Sequence, residues 1–276
     1  MAGTLYLVAT PIGNLGDISA RALETLRAVR FIACEDTRHS RVLLDHFGIG
    51  GKDLVSLPAF AEGQRAGRIL DRLGEGEDCA LVTDAGSPAI SDPGERLVAE
   101  ALERGLTVVP VPGATALVAA LSASGLPTGR FHFLGFLPRK GPERRAMLEE
   151  VASLSATLVL YESPRRLGET LQDLQEAWGD RRACVARELT KLHEEFVRAP
   201  LSALSARYAT EEARGEVVVL VEGRTGERRW SEEELRRALE DGLARGDKLK
   251  PLSTELARRA GWSGQDVYRL GLSLKK

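Results

Sequence analysis

Five short apolar runs, each separated from the next by helical or loop sequence, fill the first 125 residues, and this alternation leaves few folds open to the chain. The runs are TLYLVA (4–9), RFIAC (30–34), DLVSL (53–57), CALVT (79–83) and LTVVPV (106–111). They are nearly continuous in apolar residues rather than alternating, which is the pattern of strands covered on both faces. Between the first two lies SARALETLRAV, where Ala22, Leu23, Leu26 and Val29 fall on one side of a helix. Strand and helix in repeated succession predict an α/β fold with a mainly parallel sheet and helices on both faces.

Near residue 125 the texture changes. The stretch GLPTGRFHFLGFLPRKGP is rich in Gly and Pro and predicts an interdomain crossing with one short strand, FHFLGF. A second block follows, with helices expected at 142–153, 164–177 and 201–212 and strands at 157–161, 183–188, 194–199 and 216–223. Two of those strands lie close together, so a hairpin and a mixed sheet are expected. GRTGERR (223–229) reads as a linker. Beyond it, Ser231, Ser253 and Ser263 each precede a helical pattern as a capping serine would, predicting a module of three helices. The expected organisation is an N-terminal α/β domain over 1–125, a second α/β domain over 126–226 and a helical module over 229–276.

Composition narrows the function classes. No apolar run reaches the roughly 20 residues that span a bilayer, and no basic segment with an apolar core opens the chain, so a cytoplasmic protein without a membrane partner is expected. Cys34, Cys79 and Cys184 are widely spaced and sit in or beside apolar runs, which predicts buried free thiols. His39, His46, His132 and His193 show no metal-ligand spacing, and no metal is expected. A net charge of −2 argues against a globally basic nucleic-acid coat but permits a local basic face. PRKGPERR offers Arg139, Lys140, Arg144 and Arg145, and residues 248–276 carry seven basic residues against two acids. Solvated helix faces would look the same.

Chemistry is concentrated where strands end, the place at which open parallel sheets bind ligands. ATPIGNLGD (9–17) follows the first strand, but it contains neither phosphate-binding glycine pattern. FIACEDTRHS passes from a core strand directly to Glu35, Asp36, Arg38 and His39. TDAGSPAISDPG (83–94) packs two Asp-containing turns into twelve residues; Asp92 can cap a helix beginning at Pro93, whereas Asp84 has no such use. PVPGATALVAALSASG (110–125) turns into a helix of small residues that either a ligand or another helix could approach. LYESPRR and ARELTKLHEE again set Glu162, Glu188, Lys191 and Glu194 just past apolar strands.

Taken in order, ATPIGNLGD, CEDTRHS, LVTDAGSPAISDPG, PVPGATALVAALSASGLP, FLGFLPRK, LYESPRR, ARELTKLHEE and GEVVVLVEG resemble the ribosomal RNA small subunit methyltransferase I family of the tetrapyrrole methylase superfamily. The resemblance runs from about residue 4 to 223, and the tail is similar to that family's C-terminal helical domain. It implies a two-domain enzyme that holds S-adenosylmethionine between its domains, acts as a homodimer and methylates the ribose 2′-hydroxyl of a cytidine in the decoding region of 16S rRNA. By position it places Pro11, Thr83, Asp84, Ala85, Gly86, Ile90, Thr115, Ala116 and Tyr161 at the cofactor. A carboxylate that accepts the hydroxyl proton is expected among Glu35, Asp36 and Asp92. Arg38, His39, Arg139, Lys140, Arg165 and Lys191, with Glu162 and Glu188, are expected on the side of the 16S rRNA or small ribosomal subunit. A small-molecule methylase of the same superfamily and a non-enzymatic RNA-binding or ribosome-assembly protein remain the alternatives.

Overall fold

All five N-terminal runs become strands of one parallel sheet in the computed structural model, which describes residues 1–59, 62–224, 230–260 and 262–274. They are β1 (Thr4–Val8), β2 (Phe31–Cys34), β3 (Asp53–Ser56), β4 (Cys79–Val82) and β5 (Thr107–Val111), in spatial order β3-β2-β4-β1-β5. Every residue of β2 and β4 is buried, because helices cover both faces. On one face Leu5, Phe31 and Leu81 pack against α3 (Glu62–Gly74) and α4 (Glu95–Glu103) through Ile69, Leu73 and Leu97. On the other, Val8, Ile32 and Ala80 meet α1 (Ala20–Ala28) and α2 (Thr37–His46) through Leu26 and Leu44. The neighbours β1 and β4 therefore lead into helices on opposite faces, and their following loops open a crevice between them. Thr10 and Gly86 tie those loops together by exchanging backbone hydrogen bonds at 2.9 and 3.1 Å.

The second sheet is mixed, as predicted. It contains β6 (Phe131–Phe136), β7 (Thr157–Glu162), β8 (Arg182–Arg187), β9 (Glu195–Pro200) and β10 (Val217–Val221) in the order β6-β7-β10-β8-β9. Only β6 and β7 pair in parallel, and β8 and β9 form the hairpin. Three helices belong to this block: α6 (Pro142–Val151), α7 (Leu167–Trp178) and α8 (Leu201–Tyr208). A 3-10 turn over Pro164–Arg166 precedes α7, so that helix starts three residues later than the sequence indicates. The helix of small residues, α5 (Ala116–Ala123), buries Ala120 and Leu121 against Val159 and Leu220, and Ile12 from the loop after β1 joins the same cluster. The α/β class holds for both sheets and their helices. The three thiols are buried and free.

By contacts the chain packs as two compact units, Met1–Ala152 with Ala156–Glu222, and Ser153–Ser155 with Gly223–Lys276. Both sheets lie in the first. The second contains α9 (Glu232–Ala244), α10 (Leu249–Ala260) and α11 (Gly264–Leu274), packed through Leu235, Leu239, Leu252, Leu256 and Val267. Ser231 and Glu234 form a reciprocal capping box, and Ser263 Oγ accepts the Asp266 N–H at 3.1 Å. Ser253 does not cap. It lies buried inside α10, whose N-terminus is four residues earlier. Residues 225–229 of the linker lie outside the described residues, as do Lys275 and Lys276 of the basic tail. Among the described residues, no helix is long and apolar enough to cross a membrane.

Two further expectations are corrected. Asp92 caps nothing: α4 starts at Glu95, and its free N–H groups at Gly94 and Leu97 donate to one oxygen of Glu62, both at 3.0 Å. A carboxylate from α3 thus does the capping across space, favoured by the positive end of the helix. Glu62→Ala should lower stability by about 1 kcal/mol in urea unfolding, and Glu62→Gln, which keeps an acceptor, by less. Arg144, counted with the basic face, is instead buried.

Candidate functional site

The loops after β1, β4 and β5 face the end of β7 and the start of β10 across a cavity of about 350 Å³. Its wall from the first sheet is the loop 83–94, whose backbone is unusual. Ala89 and Ser91 adopt left-handed φ angles of 66° and 62°, a conformation that residues with a Cβ rarely take. This double kink turns Ile90, 46% exposed, and Asp92 toward the cavity. A side chain at Gly94 (φ 129°) would strike Leu81, so the kinked loop can close onto the sheet only with glycine there.

From the other side comes Tyr161. Its ring packs edge-on against Phe133 and Phe136, with centroids at 4.9 and 5.7 Å, and its hydroxyl accepts the Leu117 N–H at 3.1 Å. Burial raises its pKa, so the phenol stays neutral. Seven residues expected at the cofactor, Asp84, Ala85, Gly86, Ile90, Thr115, Ala116 and Tyr161, line this one cavity, together with Asp92 and Glu162.

Pro11 and Thr83 line a second cavity, of about 430 Å³, alongside His39 and Lys191. The two cavities share Ile12, Asp84, Ala85 and Glu216 as a partition. Arg38, Arg139, Lys140 and Arg165 are exposed and line neither of these two. Glu162 is committed internally: its side chain is buried, accepting the Ser163 N–H at 2.7 Å and the Thr170 hydroxyl at 2.6 Å, with Arg166 Nε 3.4 Å away. Glu188 accepts Lys191 Nζ at 2.9 Å and the Glu216 N–H at 3.2 Å, and the Lys191 contact holds its carboxyl below the usual range.

The acids near the partition differ in character. Asp36 caps α2, accepting the Arg38 N–H at 2.8 Å and pairing with the Arg38 guanidinium at 2.7 Å; Arg38 lowers its pKa to about 2. Such a weak base is a poor proton acceptor. Glu35 is pushed upward by burial and by the charges of Asp84 and Asp36. Asp92 moves furthest, to about 6, through burial first and then the charges of Glu35 and Asp84. The Thr83 hydroxyl beside it opposes the shift without reaching full hydrogen-bond geometry. Asp84 has a partner of its own, His39 Nδ1 at 3.3 Å.

Sequence reasoning missed the Gly215–Val218 stretch and Phe136. It looked for function at carboxyl ends of strands, whereas β10 runs antiparallel to β7 and brings its amino end to the cavity. GEVVVLVEG counts among the motifs of the resemblance, but its place at the cavity follows only from the pairing direction.

Two five-stranded α/β sheets with a cavity between their loops define a class, and the Tetrapyrrole (Corrin/Porphyrin) Methylases family matches residues 4–205. A ribosomal RNA small subunit methyltransferase I from Synechocystis sp. is 46% identical over 99% of both chains. Its counterpart from Pseudomonas aeruginosa is 52% identical over 80% of this chain and 79% of its own. The fold is shared with the uroporphyrin-III C-methyl transferase of Thermus thermophilus solved with S-adenyl homocysteine, at a TM-score of 0.59 and 20% identity over 79% of this chain and 97% of that one. The chain belongs to the tetrapyrrole methylase family and, within it, to the ribosomal RNA small subunit methyltransferase I group.

Proposed function

We propose that the protein uses S-adenosylmethionine to methylate the ribose 2′-hydroxyl of a cytidine in the decoding region of 16S rRNA, in the cytoplasm and as a homodimer. The observation that carries this reading is the convergence of seven of the nine expected cofactor residues on one cavity, which the half-buried Asp92, its pKa raised to about 6 by burial, also lines. The cavity fits the cofactor: a largely apolar floor of Ile12, Leu189, Val217 and Val218 is rimmed by the polar groups of Asp84, Thr115 and Tyr161. The bound cofactor supplies an electrophilic methyl group.

The protein's own work is alignment and proton removal. Holding a hydroxyl oxygen about 3–3.5 Å from the reacting carbon is worth several kcal/mol of barrier. Asp92 accepts the hydroxyl proton as the bond to carbon forms, with Glu35 keeping its basicity high. In this reading, domains 1–125 and 126–226 supply the two walls, and 229–276 grips more distant rRNA. Arg38, Arg139, Lys140 and Arg165 meet phosphates outside the cavities.

The test is to incubate the protein with labelled S-adenosylmethionine and unmodified small subunits and map the labelled nucleotide. Label on a base, or none, would end the reading. Removing 229–276 should weaken small-subunit affinity on the order of tenfold or more and flatten its salt dependence, with cofactor affinity by calorimetry unchanged. A small-molecule methylase would lose nothing.

A further inference from the structure

Resting on that reading, we propose that the second cavity is the seat of the acceptor nucleoside, taking base and ribose inside while the phosphates stay outside. Four observations converge on it.

The first is position. The cavity abuts the cofactor cavity through Ile12, Asp84, Ala85 and Glu216. The partition is fixed by the Thr10–Gly86 hydrogen-bond exchange and by Thr10 Oγ1 donating to the Thr83 carbonyl at 3.1 Å. A sugar hydroxyl at the partition would lie against the residues that both cavities share.

The second is charge. Lys191 is the one permanent cation among the described lining residues, and it is held between Glu188 at 2.9 Å and Glu216 at 3.3 Å. His39 is engaged by Asp84. An entering phosphate would meet cations already neutralised and two carboxylates of its own sign. A neutral nucleoside meets no such penalty.

The third is the inner wall. Ser40 and Thr83, 4% and 2% exposed, line the cavity without offering it a charge: the Ser40 hydroxyl lies beside the Cys34 thiol and the Thr83 hydroxyl beside the Asp92 carboxyl. A wall of neutral groups suits a neutral nucleoside.

The fourth is the mouth. Leu15 and Val42 are 40% and 69% exposed there, apolar surface suited to the flat face of an unstacked base. The volume of about 430 Å³ lies in the range of small-ligand pockets, which is too little for a duplex.

Two measurements decide the matter. With S-adenosylhomocysteine present, the ring resonances of His39 and His46 are followed by NMR during titration with cytidine and, separately, with inorganic phosphate. Cytidine should shift both and phosphate neither; shifts with phosphate, or none with cytidine at its solubility limit, overturn the proposal. In parallel, Val42→Trp should obstruct the mouth. Its kcat/KM for unmodified small subunits should fall roughly tenfold or more, with the Kd for S-adenosylmethionine unchanged. Wild-type kinetics in that variant also overturn the proposal, and Leu15→Trp replaces it if Val42→Trp does not fold. Should the wild-type protein fail to methylate small subunits at all, the proposed function falls, and the cytidine and phosphate titrations then judge the cavity alone.

Discussion

Asp92→Asn lowers single-turnover methylation by about 10²–10⁴-fold, and the same variant is more stable than the wild type above pH 6. Both effects have one cause. The Asp92 carboxyl, ordinarily near 3.8, is raised to about 6 by burial and by the charges of Glu35 and Asp84. In the proposed reaction the ionised form is the proton acceptor, so the wild-type rate should climb as pH rises through about 6 and then level. Glu35 shares Asp84 as a charged neighbour and itself acts on Asp92, so the apparent value belongs to the group of acids. For stability, the native state holds this proton more tightly than the unfolded chain. Stability is therefore lost as pH rises from about 4 to about 6, and the loss persists above. A shift of about two units corresponds to at most ~3 kcal/mol; partial exposure of Asp92 reduces this to the order of 1–2 kcal/mol. Asparagine removes the charge and recovers that amount above pH 6, while below pH 4 the two proteins converge. Thermal unfolding at pH 4 and pH 8, with the pH–rate profile, checks both halves. A variant that keeps its rate and its pH limb would remove Asp92 from the reaction.

The inner strands β2 and β4 were the most legible, because every residue is buried and nothing exposed interrupts their apolar runs. Two of the three tail helices, α9 and α11, were legible for another reason: their caps are local, with Ser231 and Ser263 bonding N–H groups three residues ahead. Where a role is filled from a distance, the sequence misleads. Asp92 has the spacing of a cap, yet Glu62, about thirty residues away, fills that role for α4. This leaves Asp92 without a helix to satisfy and half-buried among like charges, which is what perturbs it. Most of the residues that the motif resemblance assigns to the cofactor line one cavity, but Pro11 and Thr83 line only the other. Their short separation in sequence from Ile12 and Asp84, which border both cavities, hides the change of cavity.

Arg144 and Arg145 are adjacent in PRKGPERR and should behave as opposites. Arg144 on α6 is buried, and each part of its guanidinium is in use: Nε donates to Asp173 at 2.6 Å, Nη1 to the Pro138 carbonyl at 3.1 Å and Nη2 to Thr170 at 3.0 Å. The Thr170 hydroxyl in turn donates to Glu162 at 2.6 Å, at the edge of the first cavity. The network thus joins the loop bearing Arg139 and Lys140 to the turn after Tyr161. Arg144→Ala leaves Asp173 without its cation and the Pro138 carbonyl without this donor, and breaking such a pair costs about 3–5 kcal/mol. Because Asp173 is partly open to water, the lower end is expected. Arg145, one residue on, is exposed; Arg145→Ala should change stability by less than about 0.5 kcal/mol and act on rRNA affinity alone. Urea unfolding of both variants, beside small-subunit binding of both, separates the roles. If Arg144→Ala unfolded at the wild-type midpoint and lost only rRNA affinity, Arg144 would be a surface contact after all and the link from basic loop to cavity would have no physical carrier.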